Sequence, residues 1–185
     1  GEEVFDRDKA VENLRTLIRF KTVSNTDPQL EDDAEFQKLI DKLPELYPHV
    51  FESCRFERMP DRGLLFTWEG KQHSEPSVLM AHYDVVPVDE AGWSKPPFEA
   101  ILEDGVVWGR GALDTKVTFN GVLTAADHLL AQGYQPEQDI YFAFSGGEEV
   151  NGLGAVHIVD WFEAHGITPA LVVDEGGAVV QDVFP

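Results

Sequence analysis

Four short stretches of this chain carry an imidazole and carboxylates in an order that could cage divalent cations: His82-Tyr-Asp84, Asp114, Glu148-Glu149 and Asp174-Glu175. They follow strand-like runs or sit beside glycines, where a backbone can turn and present ligands. In Met80-Ala-His82-Tyr-Asp84, alternation with a period of two directs the imidazole and the carboxylate to one side of an extended backbone. A metal-binding histidine commonly donates its other ring N–H to a carboxylate, so His82 reads as a ligand and Asp84 as the partner that orients it. A half-buried structural ion pair uses the same pattern.

The run Gly109-Arg-Gly-Ala-Leu-Asp114-Thr-Lys116 places two glycines before an acid that opens a helix. Such an acid serves as an N-cap, and equally its two oxygens could bridge cations about 3.5–4 Å apart. In Phe144-Ser-Gly-Gly-Glu148-Glu149-Val-Asn-Gly152, adjacent acids stand between glycines after an apolar run. Neighbouring side chains diverge, so one can bind metal while the other faces a cleft as a proton shuttle. An acidic first helical turn is the alternative there, and a turn is the alternative for Asp174-Glu175-Gly176-Gly177.

The elements that must position these groups can be read from periodicity. A helix is predicted from about 6 to 20 with Asp6 as N-cap, and a second from about 31 to 46 through Phe36, Leu39, Ile40 and Leu43, which Pro44 and Pro48 disturb or end. Phe51–Met59 and Leu64–Glu69 alternate as an antiparallel pair across the turn 60–63, and Ser77–Ala81 reads as a buried strand. The stretch 86–111 reads as a long ordered loop with a small hairpin around Asp104-Gly105. A helix over 117–131 closed by Gly133, a strand over 139–144, a helix over 155–165 and a strand over 170–173 complete the pattern. Helices alternating with buried strands indicate one α/β domain built on a largely parallel sheet.

Composition narrows the partners. With 14 Lys and Arg against 34 Asp and Glu, the net charge of -20 repels nucleic acid and anionic lipid and suits a protein that gathers cations. A single Cys54 forms no disulfide within the chain and reads as a small strand hydrophobe. No apolar run approaches the roughly 18–20 residues that span a bilayer, and the charged start has no signal-peptide pattern, so a cytoplasmic location is the expectation. Residue 1 is Gly rather than Met, so the natural N-terminus is left open.

The ordered motifs M-A-H-Y-D-V-V-P (80–87), G-W-S-K-P-P-F (92–98), G-R-G-A-L-D-T-K (109–116), G-E-E-V-N-G-L-G-A (147–155) and D-E-G-G (174–177) give the chain its resemblance to a family. It resembles the co-catalytic zinc peptidases and deacylases that include carboxypeptidase S, acetylornithine deacetylase, succinyl-diaminopimelate desuccinylase and the aminoacylases. The W-x-x-P-P-F and D-E-G-G forms are most similar to the carboxypeptidase S branch and its N-acyl-amino-acid hydrolase relatives. The resemblance implies a three-layer sandwich, a mostly parallel central sheet flanked by helices, of which residues 1–185 would be the N-terminal portion of the catalytic domain. The lid and dimerisation domain and the C-terminal catalytic segment, with a further His ligand, would lie elsewhere in a homodimeric full-length protein.

It also implies two zinc ions, with cobalt or manganese as substitutes. His82 and Asp174 would bind one, Glu149 the other, and Asp114 would bridge them. Glu148, as general base, and Asp84, as partner of His82, would carry the catalytic roles, and the Asp114–Thr115 peptide would be cis. Thr115 and Gly147 depart from acids common in relatives at those positions. His49, His73, His128, His157 and His165 match no ligand position and read as solvated or structural. The implied reaction is hydrolysis of an amide or peptide bond next to a free carboxylate by a water whose pKa the zinc pair lowers to about 7. The implied partner is a small peptide or N-acyl amino acid. On this reading residues 1–185 alone would hold at most one zinc firmly and turn over little. An N-acyl-amino-acid deacylase or dipeptidase is the nearest alternative, and a non-catalytic binding module the more distant one.

Overall fold

The structure, a computed structural model, describes residues 5–87, 95–103, 106–109, 115–147, 153–174 and 177–180, with the backbone alone at 106–108, 153, 155, 174 and 177–180. Helix α1 (Arg7–Arg19) begins where the Asp6 carboxylate accepts the Lys9 backbone N–H at 3.0 Å, and it buries Leu17 and Ile18. Helix α2 (Asp33–Leu46) is capped the same way by Asp32 and buries Phe36, Leu39, Ile40 and Leu43 on one stripe. Pro44 stands inside it, and the helix ends at Leu46, as predicted. The ring removes a single donor one turn from the end, and Tyr47 N–H still reaches the Leu43 carbonyl at 2.9 Å.

Residues 51–53, expected in a strand, belong to helix α3 (Pro48–Ser53). Pro48 occupies its first turn, and the Asp127 carboxylate accepts the N–H groups of His49 at 2.7 Å and Val50 at 3.1 Å. A cap supplied from so far along the chain leaves no local signal.

Strands β1 (Arg55–Met59) and β2 (Gly63–Trp68) pair antiparallel, as expected. Asp61 and Arg62 between them both hold positive φ, 56° and 65°, in the three-residue loop that joins the paired Met59 and Gly63. Then come β3 (Gln72–His82), β4 (Ile101–Glu103), β5 (Val106–Trp108), α4 (Lys116–Ala131), β6 (Gln138–Ser145), α5 (Leu153–Ala164), β7 (Leu171–Asp174) and β8 (Gly177–Val180). β4 and β5 form the expected small hairpin, whose turn Asp104-Gly105 lies outside the described residues. Gly133, at φ 78°, closes α4 with its N–H on the Leu130 carbonyl at 2.9 Å. β8 was not anticipated, since the last predicted strand was 170–173.

The main sheet runs β1-β2-β6-β3-β7-β8. It is parallel at its centre, where β3 lies between β6 and β7, and antiparallel at both edges. Alternation along the strands builds a core on each face. Leu64, Phe66, Ala81, Phe142 and Phe144 meet Leu17 of α1, Leu39 and Leu43 of α2, and Phe119 and Leu123 of α4. Leu65, Val78, Tyr141, Ala143 and Val172 meet Ile158 and Phe162 of α5. The result is the expected three-layer α/β arrangement, each fully buried large side chain contributing about 1.5–3 kcal/mol. Among the described residues no helix is long and apolar enough to cross a membrane.

Candidate metal centre

The central parallel strands all end at one edge of the sheet. His82, the last residue of β3, pairs with Ser145, the last of β6, and Val173 of β7 pairs with Leu79, so Asp174 closes β7 at the same edge. Parallel strands with helical crossovers bring chain-distant residues together at their carboxyl ends, the usual place for a ligand in such sheets.

His82 is buried, and its Nδ1 lies 3.0 Å from the Asp84 backbone carbonyl and 3.2 Å from the Asp84 Oδ1. Both neighbours are acceptors, so Nδ1 carries the proton and Nε2 is the ring's lone-pair nitrogen. That is the tautomer in which an imidazole can serve as a metal ligand while Asp84 fixes its orientation. Asp84 is fully buried, and its Oδ2 accepts the Ser24 hydroxyl at 2.6 Å. A buried carboxylate is tolerated when hydrogen bonds replace its water.

The chain beyond His82 is secured from three sides. The Tyr83 N–H donates to the Ser145 carbonyl at 2.9 Å, the Thr22 hydroxyl to the Tyr83 carbonyl at 2.7 Å, and the Val85 N–H to the Thr22 carbonyl at 2.9 Å. The Tyr83 hydroxyl donates to the Arg62 carbonyl at 2.7 Å, which ties the β1–β2 turn to the same place. Burial first of all pushes the Tyr83 phenol well above its ordinary value, so it is a hydrogen-bond donor throughout the neutral range.

Thr115, at φ 143°, donates its hydroxyl to the His82 carbonyl, and Lys116 follows as the first residue of α4. A positive φ on a β-branched residue costs of order 1–3 kcal/mol and collects at functional sites. The Lys116 ammonium is fully buried and donates to the carbonyls of Leu17 and Phe20, each at 2.9 Å, completing the C-terminal end of α1. Burial pushes Lys116 down to about 7, against the upward pull of Asp84 and Glu35.

Of the predicted site residues, His82 and Asp84 are described with their side chains and lie together. Asp174 is described by its backbone at the end of β7, and Asp114, Glu148 and Glu149 lie outside the described residues, as does the predicted cis Asp114–Thr115 peptide. Among the described residues no group of three metal-ligating side chains converges. The donor chemistry of the described part still fits a zinc site: a buried imidazole whose second nitrogen is bonded to a backbone carbonyl, with the carboxylate of the same residue 3.2 Å away. Sequence reasoning gave no role to Ser24, Thr22, Arg62 or Lys116, whose contacts exist only once the fold is formed. The one available signal was a lysine opening a helix that holds no other Lys or Arg. The other histidines hold structural partners, His73 with Asp139 at 2.8 Å and His157 with Asp61 at 2.7 Å.

Comparison with known proteins gives consistent results. The model of peptidase family M20/M25/M40 matches residues 78–184, more than half of the chain. Human N-fatty-acyl-amino acid synthase/hydrolase is 35% identical over 179 residues, covering 94% of this chain and 35% of that protein. Carboxypeptidase S of Saccharomyces cerevisiae is 33% identical over 195 residues, covering 96% of this chain and 34% of that protein. The chain therefore spans about a third of the length of these relatives. A crystal structure of an M20 family metallo-carboxypeptidase from Sulfolobus solfataricus shares the fold with a TM-score of 0.70 at 23% identity, covering 93% of this chain and 38% of that one. Human carnosine dipeptidase 1 does so at 0.67 and 20%, covering 85% and 35%.

Proposed function

We propose, since this chain belongs to peptidase family M20/M25/M40, that its full-length protein is a metal-dependent hydrolase of amide bonds next to a free carboxylate. The observation that carries this reading is the buried His82, whose Nδ1 is held by Asp84 at the shared end of β3 and β6. His82, Asp114, Glu149 and Asp174 are the proposed ligands, an imidazole and three carboxylates that suit a zinc pair, with cobalt or manganese as substitutes. Bound zinc would supply Lewis acidity and a water acidic enough to act as nucleophile near neutral pH. Glu148 takes the proton of the attacking water and returns it to the departing amine. Asp84 keeps the His82 ring in its ligating tautomer.

Two substrate classes share the required feature. A carboxypeptidase cleaves the amide before a C-terminal amino acid, and an N-acyl-amino-acid hydrolase cleaves the amide between an acyl chain and an amino acid. The likeness to N-fatty-acyl-amino acid synthase/hydrolases favours the second, and that to carboxypeptidase S the first. A substrate panel on the full-length protein tests the reading. Peptides and N-acyl amino acids with a free carboxylate should turn over, and their carboxamides should be poorer by at least about 100-fold, because a site built for a carboxylate is left unpaired by an amide. Equal turnover of acid and carboxamide would refute the proposed specificity.

A further inference from the structure

The chain from Thr22 to Ser24 lies along Tyr83–Val85 as a short parallel bridge, Val23 opposite Val85. Its backbone is held on both sides, by the Ser24 N–H on the Val85 carbonyl and the Val85 N–H on the Thr22 carbonyl, each at 2.9 Å. From this fixed position the Ser24 hydroxyl reaches the Asp84 Oδ2 at 2.6 Å, while the other oxygen, Oδ1, stands 3.2 Å from the His82 Nδ1. All three groups are buried. The terminal torsion of an aspartate is broad, so a carboxylate bonded on one side alone can swing. A short charge-assisted bond on the second oxygen removes that freedom.

We propose that Ser24 is a positioning residue for metal binding: through Asp84 it sets the orientation and tautomer of His82. This rests on the reading of His82 as a ligand given above. The connection runs from Ser24 Oγ–H to Asp84 Oδ2 and through Asp84 to His82, whose Nδ1 is bonded to the Asp84 backbone carbonyl at 3.0 Å and lies 3.2 Å from Oδ1 of the same residue, leaving Nε2 as the donor to zinc. Thr22, two residues earlier, bonds the Tyr83 carbonyl and not the carboxylate, so it contributes to the same bridge without entering the relay.

The test uses the full-length protein stripped of metal and titrated with zinc against a competing chelator, alongside nitrogen-15 spectra of the His82 ring in the metal-free state. Ser24→Ala should weaken zinc binding by about 10–100-fold, the usual effect of losing a partner behind a metal ligand, and should raise the share of the other His82 tautomer. Ser24→Thr, which keeps the hydroxyl, should recover most of the affinity. Thr22→Val should lower the unfolding midpoint and leave the affinity at the wild-type value. Wild-type affinity and an unchanged ring spectrum in Ser24→Ala, with His82→Ala still weakened, would overturn the role of Ser24 alone. Wild-type affinity in His82→Ala would overturn the ligand reading and this inference with it.

Discussion

On the proposed reading the adjacent Glu148 and Glu149 divide two tasks, since neighbouring side chains leave the backbone in different directions. With Glu149 a ligand and Glu148 the base, Glu148→Ala in the full-length protein should abolish turnover, by about 100-fold or more, while zinc content measured by elemental analysis stays at the wild-type level. Loss of zinc would mean that the two roles are exchanged. Cys54 shows the opposite kind of residue. Its thiol is buried and pushed up to about 12, first by burial and then by the Asp127 carboxylate, so almost none of it is thiolate near neutral pH. The native protein, probed at this position with a disulfide reagent at pH 8, should leave Cys54 unreacted, and it should react only on unfolding. Rapid native labelling would show the packing around α3 and β1 to be wrong. His82 and Asp84 were legible as a pair from their spacing, whereas Ser24 was not, since it stands 60 positions before Asp84 with no local pattern that joins them.

At the scale of elements, the β1–β2 turn packs against the entry to the segment that carries the two glutamates. A Cβ on Gly146 would lie 2.6 Å from the Tyr83 ring and hydroxyl and 2.7 Å from the Arg62 Cβ, so this glycine is required by close approach. Arg62 cannot easily retreat, being paired with Glu31 at 3.0 Å and seated 3.7 Å above the Phe36 ring. Gly146→Ala should therefore destabilise the protein by about 1–3 kcal/mol, the common cost of overpacking, read as a lower urea midpoint. An unchanged midpoint would contradict the packing described. The glycines were visible in the sequence as turn formers, but the close approach that demands one of them was not. Amphipathic α1 and α2, the hairpin across 60–63 and the buried strands were legible because their apolar spacing repeats locally. α3 was not, because Pro48 looked like a terminator and its cap comes from Asp127 on α4.

For the whole molecule, the sheet gathers what the sequence separates. Three parallel strands end together, and the chain leaves each of those ends into a stretch holding a proposed ligand or base. The net charge of -20 gives such an edge a field that favours cations over anions, and the two hydrophobic cores cover the faces of the sheet. The fold was therefore readable from motif succession, while the parallel centre with antiparallel edges depended on pairings that only the folded chain reveals. The most direct test is zinc-edge anomalous diffraction from crystals of the full-length protein grown with zinc. Two peaks about 3.5–4 Å apart, one of them about 2.0–2.1 Å from the His82 Nε2 and the pair bridged by Asp114, are the predicted result. Zinc bound away from His82, or a single ion that Asp114 and Asp174 do not touch, would contradict the account.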